Sequence, residues 1–135
     1  MAKARPKTPD ADYGDYFVNI KLCRKLEEKF PISSSRTKEV WRSTAKYGWH
    51  FCLRNIDTDH KILEVISAWR IVDLVFFAEV HKLKIKISTD EDWVWTVKLI
   101  SMEDPETFYI GTSPNFMLNA FAKAVLQVPE EFPSA

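Results

Sequence analysis

Three histidines, two cysteines and two acidic clusters are the residues of this chain that could do chemistry, and their spacing limits what that chemistry is. His50, His60 and His81 are scattered, and no two share a helix at metal-ligand spacing. His50 with Cys52 offers two ligands where a tetrahedral structural site takes four. No metal and no cofactor is therefore expected. Cys23 and Cys52 both lie in apolar runs and read as core; there is no C-x-x-C pair and no G-x-S-x-G elbow. Asp90-Glu91-Asp92 and Glu103-Asp104-Glu106 fall between strand-like runs, where charged residues are solvated turns rather than a placed acid and base. No catalytic residue is nominated.

The segment Gly111-Thr112-Ser113-Pro114 opens the last helix and raises the question of an anion site. A phosphate loop carries several glycines and a lysine, as in G-x-x-x-x-G-K-S/T. This segment has one glycine and no base before Lys123, so it reads as a helix start with Ser113 as cap and Pro114 in the first turn. A polar group with geometry comes earlier. Lys38, Arg42 and Lys46 are spaced i, i+4, i+8 along a helix expected over 36–47, with Arg36 and Trp41 beside them. Such a stripe is either a solvated helix face or a contact for an acidic protein surface or phosphates. These five residues, Arg36, Lys38, Trp41, Arg42 and Lys46, are the candidate partner-binding set. Lys84, Lys86 and Lys98 beside Tyr109 form a second candidate, on a sheet.

The elements that must position these groups follow from periodicity. Residues 1–12 read as a flexible lead-in, 13–131 as one domain and 132–135 as a tail. Helical spacing runs from Tyr13 to Phe30 and stops at Pro31. After the 36–47 helix, Gly48 is placed to end it in a left-handed cap, and WHFCL (49–53) is a short strand or a connector. Asp57-Thr58-Asp59 reads as the start of a long helix reaching Val80, with Ile62, Val65, Trp69, Val72, Phe76 and Val80 on one stripe. The period then switches to two: KLKIKIST, WVWTVKLI and TFYIG make a three-stranded antiparallel meander. The final helix buries Met117, Phe121, Ala124, Val125 and Val128 and ends at Pro129. The expected class is α+β, a small antiparallel sheet of three strands (four if 49–53 joins it) packed by helices, in the order α-α-(β)-α-β-β-β-α.

Composition narrows the classes further. The chain has 135 residues, 46% apolar and 13% aromatic, which is rich enough for a single core without disulfides or metal. The most apolar run, 65–80, is broken by Arg70, Asp73 and Glu79, so no membrane span is expected. The N-terminus lacks the apolar core of a secretory signal, and cysteine usage fits a reducing cytoplasm. A net charge of zero hides a split: residues 1–54 hold 12 Lys/Arg against 6 Asp/Glu, and residues 55–135 hold 7 against 13. Helix, three-strand meander and helix is also the topology of double-stranded RNA-binding domains. Residues 82–110, however, carry four lysines against six acids, and Pro114, Asn115 and Phe116 at the last helix start are not basic. Without cations the phosphate term that dominates such binding is missing.

The chain resembles the phage ABA sandwich domain family over roughly residues 38–131. The resemblance rests on Gly48-Trp49, Asp57-Thr58-Asp59, Ala68-Trp69, Trp93 and Trp95, Ser113-Pro114 leading to Ala120, Ala122 and Ala124, and Val128-Pro129-Glu130-Glu131. It implies a strand layer with helices on it and a small phage or mobile-element accessory protein, in the host-cell cytosol, with no catalytic residues. The expected function is non-enzymatic binding of a macromolecule, favoured as a protein such as a host-defence component. Nucleic-acid binding through the basic N-terminal half is the alternative, a small enzyme without a recognisable motif is the third reading, and self-association stays open.

Overall fold

The computed structural model describes residues 16–129. The lead-in, the first residues of the expected opening helix and the tail lie outside that range. Helix α1 (Ile20–Lys29) starts where Asn19 accepts the Lys21 amide through its side chain at 2.8 Å, and it buries Ile20, Cys23 and Leu26. Pro31 ends it and takes the first position of a single-turn helix, α2 (Pro31–Ser34), where a missing N–H costs nothing. Strands β1 (Glu39–Thr44), β2 (Gly48–Leu53) and β3 (Ile62–Ser67) follow, then α3 (Ile71–Val80), β4 (Leu83–Thr89), β5 (Val94–Ser101), β6 (Phe108–Pro114) and α4 (Met117–Gln127).

The fold is α+β, with two three-stranded antiparallel sheets in the orders β2-β1-β3 and β4-β5-β6. The expected meander is the second of them. The first sheet replaces the expected 36–47 helix and the first part of the expected 57–80 helix. EVWRST (39–44) pairs with GWHFCL (48–53) in a hairpin, and ILEVIS (62–67) takes the other edge of β1. Gly48 does adopt φ +66°, but to close the turn between β1 and β2 rather than to cap a helix. The apolar residues of 62–67 satisfy a helical and a strand pattern at once, and pairing with β1 decides for the strand. Helix α3 starts only at Ile71, where Asp73 accepts the Arg70 amide at 2.8 Å.

Helices α1 and α4 lie between the sheets. Helix α1 packs on β3 and on α4, α4 lies along β5 and β6, and α3 packs on β4 and α4. Nearly every side of α4 is buried, including Leu118, Ala120, Phe121, Ala122, Ala124 and Val125. Gly111 on β6 permits the close seating of α4: a Cβ there would lie 2.1 Å from the Ala120 carbonyl oxygen and 2.3 Å from the Ala124 amide nitrogen. The last helix is not capped by Ser113. Pro114 ends β6, Asn115 turns the chain at φ +67°, and Phe116 precedes the helix without a side-chain cap.

A polar seam ties α1, α2 and the first sheet together. The Arg54 guanidinium donates to the Thr37 carbonyl and hydroxyl (3.0 and 3.1 Å), the Ser34 carbonyl (3.2 Å) and Ser67 Oγ (2.6 Å). Trp69 Nε1 donates to Ser34 Oγ at 3.1 Å, and Glu27 accepts from the Ser67 amide and hydroxyl. These bonds satisfy buried groups that would otherwise each cost about 1–3 kcal/mol.

Candidate functional site

The candidate set drawn from a helical stripe disperses once 39–44 is a strand. Trp41 and Arg42 are neighbours on β1, so they face opposite sides of the sheet. Trp41 is only 4% exposed, with its ring against Phe17 and Phe51 (centroids 5.5 and 5.6 Å), and is core rather than an anchor. Arg42 is 5% exposed and donates through Nη1 to the Ile56 carbonyl at 2.6 Å, which takes it out of any surface stripe. Lys38 is exposed just before β1, and Lys46 sits in the hairpin turn over the Tyr47 ring. Of the five, Arg36 alone lines one of the clefts described next.

That cleft lies between α2 and α3. One lobe, of about 350 Å³, is lined by Phe30, Ile32, Phe76, Phe77, Val80 and His81, with Lys29, Ser33 and Arg36 at its polar side. A neighbouring lobe of about 310 Å³ shares Ser33, Arg36, Phe76 and Phe77 and adds Val72 and Asp73. The floor is a stack of rings: Phe30 meets Phe77 edge-on at 4.8 Å, and His81 stacks on Phe77 at 4.1 Å. The Arg36 guanidinium lies 5.5 Å from the Phe76 ring centroid. The Lys29 ammonium donates to the Leu126 carbonyl and so ties the end of α1 to α4.

The rim is unusually apolar for an exposed surface. Ile32 is 77% exposed, Val72 59% and Phe76 46%. Helix α3 is apolar around most of its circumference, Asp73 and Glu79 apart; the core takes Leu74, Phe77 and Ala78, and the Val72–Phe76 stripe is left outside. The sequence reading assigned Val72 and Phe76 to a buried stripe. The apolar circumference of this segment pointed to burial against more than one neighbour; among the described residues the core takes one face and the Val72–Phe76 stripe stays exposed. Burial raises the Asp73 carboxyl above its ordinary range, and nearby Glu39 adds to the shift, while the Arg70 amide and charge oppose it.

The second sheet offers a different surface. Its inner face carries Leu83, Val97, Leu99 and Gly111 against the helices. Tyr109 pairs with Leu99 on that inner face, so it does not stand beside the lysines. The outer face holds Lys84, Lys86 and Lys98 with Ile100, Phe108 and Ile110, and the described helices pack on the other face.

Among the described residues no group of three or more His, Cys, Asp or Glu could hold a metal, and no helix is long and apolar enough to cross a membrane. His60 packs edge-on against Tyr47 at 5.0 Å, and His50 Nδ1 lies 3.2 Å from the Gly48 carbonyl. Cys23 is enclosed in the core, and burial pushes its thiol up to about 12. Compared with family models, curated proteins and solved structures, the chain finds no match.

Proposed function

We propose that this chain is a non-enzymatic accessory protein, of the phage or mobile-element kind that the family resemblance implies, and that it works in the cytoplasm by binding a partner protein through the α2–α3 cleft. The observation that carries this reading is the exposed Val72–Phe76 stripe of α3 beside Arg36. Exposed apolar clusters rimmed by polar groups mark interaction sites, and aromatic and arginine side chains dominate binding hot spots. The partner surface that fits is an apolar side chain entering the cleft, with a carboxylate beside it to meet the Arg36 guanidinium. A host-defence component is the favoured source of such a surface.

The test compares wild type with Phe76→Glu and Arg36→Glu, both at exposed positions, so that folding checked by circular dichroism is expected to hold. The tagged full chain is used to capture partners from nuclease-treated host lysate. A protein retained by wild type and lost with both variants supports the reading. A protein that both variants retain equally overturns it. Sedimentation of the purified chain separates out self-association: a wild-type dimer that Phe76→Glu makes monomeric would identify the partner as a second copy.

A further inference from the structure

The outer face of the second sheet is a regular grid. Across the strands, Lys84 pairs with Ile100 and Ile100 with Phe108; Lys86 pairs with Lys98 and Lys98 with Ile110; Ser88 pairs with Thr96 and Thr96 with Thr112. Paired residues share a face, so three lysines, three apolar residues and three hydroxyls lie on one surface without a carboxylate. Among the described residues none of these lysines makes an ion pair. Counted along the sequence, acids outnumber lysines here. In space they separate: Asp90, Glu91 and Asp92 sit in the turn at one end of the sheet, and Glu103, Asp104 and Glu106 in the turn at the other.

We propose that this face binds a short stretch of single-stranded nucleic acid, at a surface separate from the α2–α3 cleft. The lysines lie toward the β4 side and the apolar residues toward β6. Phosphates would follow Lys84, Lys86 and Lys98, and bases would lie over Phe108 and Ile110, which are 44% and 42% exposed. Lys84 and Lys86 are two residues apart on one strand, about 6.7 Å, which suits successive phosphates of an extended chain. Lys98 Nζ stands 4.1 Å from the Phe108 ring centroid, so a cation and an aromatic ring are already held together where a backbone and a base would meet. Aromatic stacking accepts any base because every base has a π-face. The acidic turns limit the footprint to about two nucleotides, since a duplex would carry further phosphates against them.

The experiment is fluorescence anisotropy of the full chain with a labelled ten-nucleotide oligo-dT at low salt. With three phosphates neutralised, affinity is expected to fall with salt at a log–log slope of about −2. Lys86→Glu with Lys98→Glu is expected to weaken binding at least about 10-fold and flatten that slope. Phe108→Ala is expected to weaken it about 5- to 100-fold with the slope unchanged, and Phe108→Trp to restore it. Phe76→Glu, in the α2–α3 cleft, is expected to leave oligonucleotide binding unaltered, so this proposal and the protein-partner reading fail separately. No oligonucleotide binding overturns the proposal, as does indifference to the lysine variants. Equal binding of poly-glutamate overturns it in favour of an acidic protein partner, and tighter binding of a ten-base-pair duplex overturns the single-strand assignment.

Discussion

Replacing Gly111 by alanine adds one methyl group, yet it is expected to be among the most damaging single changes in the molecule. The added Cβ would meet the Ala120 carbonyl oxygen at 2.1 Å, the Ala124 amide nitrogen at 2.3 Å and the Lys123 carbonyl carbon at 2.8 Å. All three are backbone atoms of α4, so no side chain can swing aside. Carbon contacts are comfortable near 3.5–4.0 Å, so α4 must rise from β6 by more than about 1 Å. A gap of 0.5–1 Å forfeits a quarter to a half of the contact energy it opens. The side chains that lose it include Leu118, Phe121 and Val125, each fully or almost fully buried and each worth about 1.5–3 kcal/mol of burial. The expected loss is about 3–5 kcal/mol, a large part of the 5–15 kcal/mol that holds a typical domain. Gly48→Ala is the control: it has φ +66° and nothing within 4 Å of the new Cβ, so it pays only the left-handed penalty of about 1–2 kcal/mol. Urea unfolding followed by tryptophan fluorescence measures both. A loss below about 1 kcal/mol at Gly111, or one smaller than at Gly48, would refute the argument that this glycine exists for helix–strand contact.

Other expectations follow from the same packing. Asp73 has a raised folded-state pKa from burial, so its charge penalises the folded state above that pKa, and protonation on acidification removes the penalty. Asp73→Asn can still accept the Arg70 amide, so its stability relative to wild type should be more favourable at pH 7 than at pH 4; equal differences in urea unfolding at the two pH values would count against it. Cys23, enclosed and pushed up to about 12, should resist thiol reagents in the native state, whereas half-buried Cys52 reacts first; mass-mapped labelling decides. Arg54→Met removes the donor that serves Thr37, Ser34 and Ser67 and should cost about 2–4 kcal/mol in chemical denaturation, because the acceptors stay behind.

The second half of the chain was legible because its signals agree. In KLKIKIST and WVWTVKLI the alternation, the β-branched residues and the intervening Thr-Asp-Glu-Asp turn all point to one hairpin, and β4 and β5 are found there in register from Leu83–Ser101 to Thr89–Trp95. The first half misled because its signals conflict. In 36–47 the i, i+4, i+8 cations fit a helix, and Glu39-Val40-Trp41-Arg42 shows no clean alternation, because β1 is the central strand and is covered on both faces: Val40 to Thr44 are all buried. A strand buried on both sides loses the period-two pattern that would reveal it. The site residues followed the same division. Arg36 was nominated beside a helical stripe that does not form, and it reaches the α2–α3 cleft from the segment between α2 and β1, whereas Val72 and Phe76 were hidden by looking like core.

The charge count shows a more general limit of linear reading. Six acids against four lysines in 82–110 argued against phosphate binding, and as a sum that is correct. Electrostatics, however, acts through distance and exposure. Strand alternation sends Lys84, Lys86 and Lys98 to one face, and the hairpins carry the acids to the two ends. At physiological salt a field is screened within about 8 Å, so a ligand lying across the middle of the sheet is governed by the lysines. Phosphates that reach the turns meet the carboxylates there and add nothing to the affinity. If the lysine face binds an anion as proposed, the same six acids act as a length filter on it and disfavour a duplex. That makes oligonucleotide length an informative variable: affinity should stop rising after a few nucleotides, where a uniformly basic groove would continue to gain.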